Sequence, residues 1–233
     1  MRVIRSFLAI KLGLPTVESL TETQAQLKTA CRSAGATVRW VPPPNIHVTL
    51  RFLGQITEPM SHAVKDMLEP IVSETASFDL ETVGLGVFPN DKTPRVIWAG
   101  LGEGVDVLMG LHDAIYERLQ RAGFNFEEKP FSPHVTLGRV KQSPPSGGIA
   151  PLLVEDETTN FGVSTIRHFF CYQSELMPSG AEYTAQWVLP FRRKPVIKQS
   201  SLSDSPNGST VAPVRDSQNA LASEDEDTPS KGE

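Results

Sequence analysis

Two stretches of this chain hold the same four residues, His47-Val48-Thr49-Leu50 and His134-Val135-Thr136-Leu137, 87 positions apart. An imidazole with an ordinary pKa of about 6.5 has both protonation states within reach near neutral pH, so one histidine can take a proton while another gives one. Paired histidines facing each other suit cleavage of a phosphodiester, in which the attacking oxygen loses a proton and the leaving oxygen gains one. The hydroxyls of Thr49 and Thr136 can donate to the non-bridging phosphate oxygens, where charge gathers during transfer. That scheme calls for no metal and no cofactor. A zinc site on His47 and His134 lacks further Cys, Asp or Glu ligands at a recognisable spacing. A phosphate loop at Gly100-Leu101-Gly102-Glu103-Gly104 fails as well, since neither the last glycine of a dinucleotide fingerprint nor a Lys-Ser/Thr pair completes it.

Such chemistry requires elements that bring the two copies together. On a strand, side chains alternate between faces, so His47 and Thr49 share one side, as do His134 and Thr136. Arg51 lies in phase with His47 and Thr49, and spacing places it in the same cleft. A lone His-x-Thr on a strand is usually a hydrogen-bonded core or surface pair; its repetition in two β-rich contexts, each approached by prolines (Pro42 to Pro44; Pro130 and Pro133), is what points to a site. Two half-units around a pseudo-twofold axis would bring all four polar groups into one cleft. Phe131, just before the second copy, is placed to stack on a base or ribose. His62, His112 and His168 have no such partner and read as structural or solvated.

Hydrophobic periodicity supplies the frame. Strands are expected at 2–12, Val38 to Val41, Ile46 to Leu53, Phe78 to Phe88, Arg95 to Ala99 and His134 to Val140. Phe161 to Leu176 and Tyr183 to Leu189 should form a closing hairpin. Helices are expected at Pro15 to Ala34, Glu58 to Ser73 and Gly104 to Ala122, the last with Leu108, Leu111, Ile115 and Leu119 at helical spacing. Strands and helices are thus interspersed along the chain.

The 233 residues are enough for one large domain or two lobes sharing a core. The net charge is −5, but residues 198–233 carry 3 Lys/Arg against 7 Asp/Glu, so the remainder is nearly neutral. Coating of long nucleic acid through a basic stripe is thereby excluded, whereas a small focused anion site is not. After Pro195 no aromatic residue and no periodic apolar face occurs. We expect a domain at 1–195 and a disordered acidic, Ser-Pro-rich tail at 196–233. The apolar run near the start is too short for a secretory signal, and no run of ~18 apolar residues could span a bilayer. Cys31 and Cys171, the only cysteines, read as buried thiols of a reducing cytoplasm.

With these residues in hand, the chain resembles the two-histidine (2H) phosphoesterases, named for the doubled HxTx motif, and most closely the RNA 2',3'-cyclic phosphodiesterases, also called 2'-5' RNA ligases or LigT-like proteins. The resemblance runs through RSFLAIKL, WVPPPNIHVTLRFLG, TPRVIWAGL and FSPHVTLGRV and covers almost all of residues 2–192. It implies an α+β fold of two intertwined lobes, related by a pseudo-twofold axis, whose antiparallel sheets line a central cleft, with helices outside. It further implies ATP-independent hydrolysis of RNA 2',3'-cyclic phosphate ends to 2'-phosphates, and in reverse 2'-5' ligation. Its partners would be RNA ends, tRNA halves among them, and the enzyme a cytoplasmic monomer. In its terms His47 is the proton donor to the leaving 3'-oxygen, His134 the base that activates water, and Arg139 a phosphate ligand. Ideal alternation would point Arg139 away from His134, so a bulge or the strand's end must turn it. Two other readings stand beside this one: the same chemistry on small cyclic nucleotides or 2'-5' oligonucleotides, or a module that binds RNA ends without turning them over.

Overall fold

A computed structural model describes residues 2–125, 130–143, 149, 152–153, 158–178 and 180–194; the expected tail and most of the loop from Lys141 to Pro151 lie outside the described residues. The elements run β1 (Val3–Ile10), α1 (Leu14–Ser33), β2 (Thr37–Trp40), a 3-10 turn (Pro43–Asn45), β3 (Val48–Thr57), α2 (Glu58–Glu74), β4 (Phe78–Phe88), β5 (Val96–Leu101), α3 (Val105–Arg121), β6 (Val135–Gln142), β7 (Asn160–Ile166), β8 (His168–Met177) and β9 (Gly180–Pro190). The helix and strand assignments made from periodicity hold throughout, with one exception. The run from Phe161 to Leu176 is two strands, not one, broken at Arg167. β7 pairs with β4, whereas β8 pairs with β1 and β9. Apolar residues continue across the break, which is why period alone does not show it. The chain there leaves one lobe for the other.

All strand pairs are antiparallel, in the order β7-β4-β5-β6-β3-β1-β8-β9, with β2 added beside β6. One lobe is β3-β1-β8-β9 and the other β7-β4-β5-β6-β2. Among the described residues a single registered pair, Val48 with Val135, joins them into one curled sheet. Both valines lie between the histidine and threonine of their motifs, so the seam of the fold is also the meeting point of the two copies. The lobes interlock, because β1 and β3 belong to one and the intervening β2 to the other.

The helices cover the face of the sheet opposite the cleft. Leu20, Gln24, Leu27 and Cys31 form the buried stripe of α1; Val64, Leu68 and Val72 that of α2; and Leu108, Leu111, Ile115 and Leu119 that of α3. They close on Leu8, Ile10, Val48, Leu50, Val135 and Leu137. Each large side chain buried in this way contributes about 1.5–3 kcal/mol. Helix α2 starts at Thr57, whose hydroxyl accepts the Met60 N–H. Both cysteines are buried thiols, and burial pushes Cys171 up to about 12. No helix among the described residues is long and apolar enough to cross a membrane.

Candidate active site

Both motif strands carry an extra residue at the same place, and β3 carries a second, Leu53, farther along. Opposite β1, Leu8 faces Arg51 and Ala9 faces Thr49, which leaves Leu50 over; opposite β5, Ile97 faces Gly138 and Trp98 faces Thr136, which leaves Leu137 over. These are β-bulges at the leucine of each His-Val-Thr-Leu, and each leucine drops into the core. The bulge reverses the alternation beyond it. The residue five after the histidine then faces the cleft, and the residue four after faces away. Arg139 thus enters the cleft by the device its position demands, and so does Phe52. Arg51 does not: its guanidinium lies 4.6 Å from the Tyr116 ring centre and 3.5 Å from His112 Nε2 on α3, behind the sheet. The expectation that Arg51 lines the cleft is corrected by a bulge that one-strand spacing cannot reveal. Phe131 is likewise engaged elsewhere, stacked on His112 at 4.0 Å and 8° between ring planes.

A cavity of about 600 Å³ brings His47, Thr49, His134, Thr136 and Arg139 together. The two histidines are held alike. His47 Nδ1 is 2.6 Å from the Asn45 carbonyl and His134 Nδ1 is 2.7 Å from the Ser132 carbonyl. A carbonyl only accepts, so both Nδ1 atoms carry the proton and both Nε2 atoms are left for chemistry. Thr49 Oγ1 lies 2.9 Å from His47 Nε2 and donates to it when the ring is neutral. The approach to His47 is itself anchored: Asn45 Nδ2 donates to the Ala181 carbonyl at 2.7 Å, tying it to the β8–β9 hairpin.

Their surroundings differ. His47 packs on Phe7, with ring centres 5.0 Å apart, and meets Tyr183 edge-on at 5.4 Å. Burial is the main cause that lowers its pKa to about 4; the positive charges of Lys11, His134 and Arg139 add to this, and the Asn45 carbonyl opposes it. His134 is lowered too, first by burial and further by Arg139, against the Ser132 carbonyl. Its aromatic neighbour is Phe88, edge-on at 5.0 Å. Phe88 in turn stacks on Trp98, which lies across Gly86 where any Cβ would come within 2.3 Å of the indole. Burial raises the Tyr183 hydroxyl, which therefore keeps its proton near neutrality and can donate to an anion.

The described residues lining this cavity include the cations Arg5 and Arg139 and no carboxylate, although the chain as a whole is acidic. Phe7, Phe52, Phe88 and Tyr183 were not foreseen from the sequence. Phe52 had a signal: it is the fifth residue after His47, as Arg139 is after His134, so overlaying the two copies finds it. Gln24 gave none. It is buried on α1, and its amide donates to the Val41 carbonyl at 3.0 Å and to that of the bulged Leu137 at 2.8 Å. It therefore holds the bulge that aims Arg139.

Comparison with known proteins gives the family and the fold. A family model described as LigT-like phosphoesterase matches residues 12–98 and 102–183. An RNA 2',3'-cyclic phosphodiesterase of Aquifex aeolicus is 34% identical over 185 residues, spanning 79% of this chain and 95% of that protein. The Thermotoga maritima protein of the same name is 34% identical over 188 residues, 81% of this chain and 96% of its own. Among solved structures, TT0787 of Thermus thermophilus superposes with a TM-score of 0.66 at 28% identity, over 82% of this chain and all of that one. Escherichia coli LigT complexed with 3'-AMP shares the fold with the same score at 23% identity, over 82% and 99% of the two chains. Family model, relatives and fold agree across both motif strands, and the chain belongs to the LigT-like phosphoesterases of the 2H superfamily.

Proposed function

We propose that this chain hydrolyses 2',3'-cyclic phosphate ends of RNA to 2'-phosphomonoesters through acid and base catalysis by His47 and His134. The observation that carries the reading is the matched fixing of both Nδ1 protons on backbone carbonyls, which frees two Nε2 atoms in one cation-lined cleft. The relatives named RNA 2',3'-cyclic phosphodiesterase support the choice of substrate.

In this mechanism the cyclic phosphate lies between the motifs, with Thr49, Thr136 and Arg139 on its non-bridging oxygens. His134 Nε2 takes a proton from water as the water oxygen attacks phosphorus. The bond from phosphorus to the 3'-oxygen breaks, and His47 Nε2 supplies that oxygen's proton. A ring held near pKa 4 is neutral in the free enzyme. The phosphate anion favours its charged form, so substrate binding itself loads the acid. Run forward with a ribose 5'-hydroxyl in place of water, the same steps would join a 2'-5' linkage, and run backwards they would break one.

The test is to incubate the protein with a short RNA ending in a 2',3'-cyclic phosphate, in EDTA and without nucleotide triphosphate, and to identify the product end. A 2'-phosphate is expected. A 3'-phosphate, or no turnover without added metal, would overturn the reading.

A further inference from the structure

Beyond the catalytic groups, the concave face of the second lobe carries a second arginine. β2 runs beside β6 with Arg39 directly opposite Arg139. Its neighbours Val38 and Trp40 turn the other way, toward Gly138, whose missing side chain makes room for them: a Cβ there would meet Val38 at 2.7 Å and Trp40 at 3.1 Å. Val41, two residues after Arg39 and in phase with it, lines the cleft. Arg39 therefore shares the cleft face with Arg139, on the strand that continues along the edge of β6 where β3 pairs at the seam. Directly opposed residues of an antiparallel pair stand with Cβ atoms about 4.5–5.5 Å apart, and like charges in that relation destabilise a sheet. Among the described residues no carboxylate pairs with either guanidinium. Two adjacent arginines without an acid, one of them already at the reacting phosphate, have the chemistry of a site for two successive anions.

We propose that Arg39 holds the phosphodiester that links the terminal nucleotide to the one before it, so that the enzyme prefers oligonucleotide ends to mononucleoside 2',3'-cyclic phosphates. The inference rests on the reading of the cleft given above. In a chain whose residues 1–197 are nearly neutral, this pair concentrates positive charge where a strand would leave the cleft. Arg39 is exposed on a short outer strand, so its replacement leaves the core untouched.

The test compares kcat/KM for three substrates: a mononucleoside 2',3'-cyclic phosphate, a trinucleotide ending in the cyclic phosphate, and that trinucleotide with a neutral methylphosphonate at its last internucleotide linkage. In the wild-type protein the charged trinucleotide should exceed the neutralised one by about tenfold or more, as for one hydrogen bond to a charged group. In Arg39→Gln that gap should shrink to within about twofold. The salt dependence on the charged trinucleotide should also become shallower by about 0.7 in log-log slope, the value of one single-strand phosphate contact. Arg39→Lys should keep most of the gap. An equal gap in wild-type and Arg39→Gln proteins, or none in the wild type, would overturn the subsite while leaving the catalytic reading intact. Failure to turn over any of the three would overturn the catalytic reading and the subsite with it.

Discussion

The strands β3 and β6 are two versions of one device. Both follow prolines, both place a histidine whose Nδ1 binds the carbonyl two residues back, and both bulge at the leucine of the motif. They part five residues after the histidine, where one presents Phe52 and the other Arg139. What surrounds them parts in the same way. Phe7, Phe52 and Tyr183 make the first lobe the more aromatic wall, with Arg5 beside them, while the second has Phe88 and Arg139, with Arg39 across the strand pair from Arg139. A repeated backbone thus supplies the symmetry an acid and base pair needs, and the unrepeated side chains make the two histidines unequal.

The largest test of that comparison removes its common part. His47→Ala and His134→Ala should each lower kcat/KM by roughly 10² to 10⁴, and the double variant should be little worse than either, since both act in one step. A substrate with a better 3'-leaving group should rescue His47→Ala far more than His134→Ala; the reverse order would exchange their roles.

Next in size is the inequality itself. A histidine lowered on folding binds fewer protons in the native state than in the unfolded chain, so it costs stability as pH falls from about 6.5 toward 4, with the loss complete below. For His47 the loss is on the order of 3 kcal/mol. Denaturant titrations between pH 7 and 4 on wild-type and His47→Gln proteins would isolate it, and parallel curves would refute it. Because both histidines are lowered, the kcat/KM optimum should lie below pH 6.5, with that of kcat higher once the phosphate is bound.

The two walls can then be compared directly. Arg139→Gln should cost about 10- to 150-fold in kcat/KM, the worth of one charged hydrogen bond, and should weaken the salt dependence. Phe52→Ala should act through KM by about 1–3 kcal/mol, the worth of a stacked base, and leave the salt dependence alone. Equal salt slopes in these two variants would dissolve the distinction. The smallest effect belongs to the support. Gln24→Leu removes a donor from the Val41 carbonyl and one of two from the Leu137 carbonyl, which keeps the Val41 N–H at 2.9 Å; the cost should be about 1–3 kcal/mol, read from chemical denaturation, and kcat/KM should fall in the direction of Arg139→Gln.

Most of this frame was legible in the sequence, because amphipathic periods mark helices and alternation marks strands. The doubled motif gave the four central residues, and their strand context gave the face they share. What failed did so for local reasons. Arg51 was misplaced, and Phe52 overlooked, by a bulge that leaves no mark in a single strand's alternation; it emerges only when the demand that Arg139 enter the cleft is applied to both copies. The break at Arg167 lies inside an apolar run that reads as one strand. Gln24 and Asn45 act through carbonyls of residues distant in the sequence, and no pattern of side-chain types encodes such a partner.

The single registered pair at Val48 and Val135 gives the molecule the mechanics of a pair of tongs riveted beside its jaws. If the two lobes swing against each other, the arc travelled grows with distance from the rivet. His47 and Thr49 flank Val48 in the chain, as His134 and Thr136 flank Val135, so the reacting groups sit where that arc is shortest. The β8–β9 hairpin would move together with His47, since Ala181 accepts from Asn45 and Tyr183 packs on the imidazole.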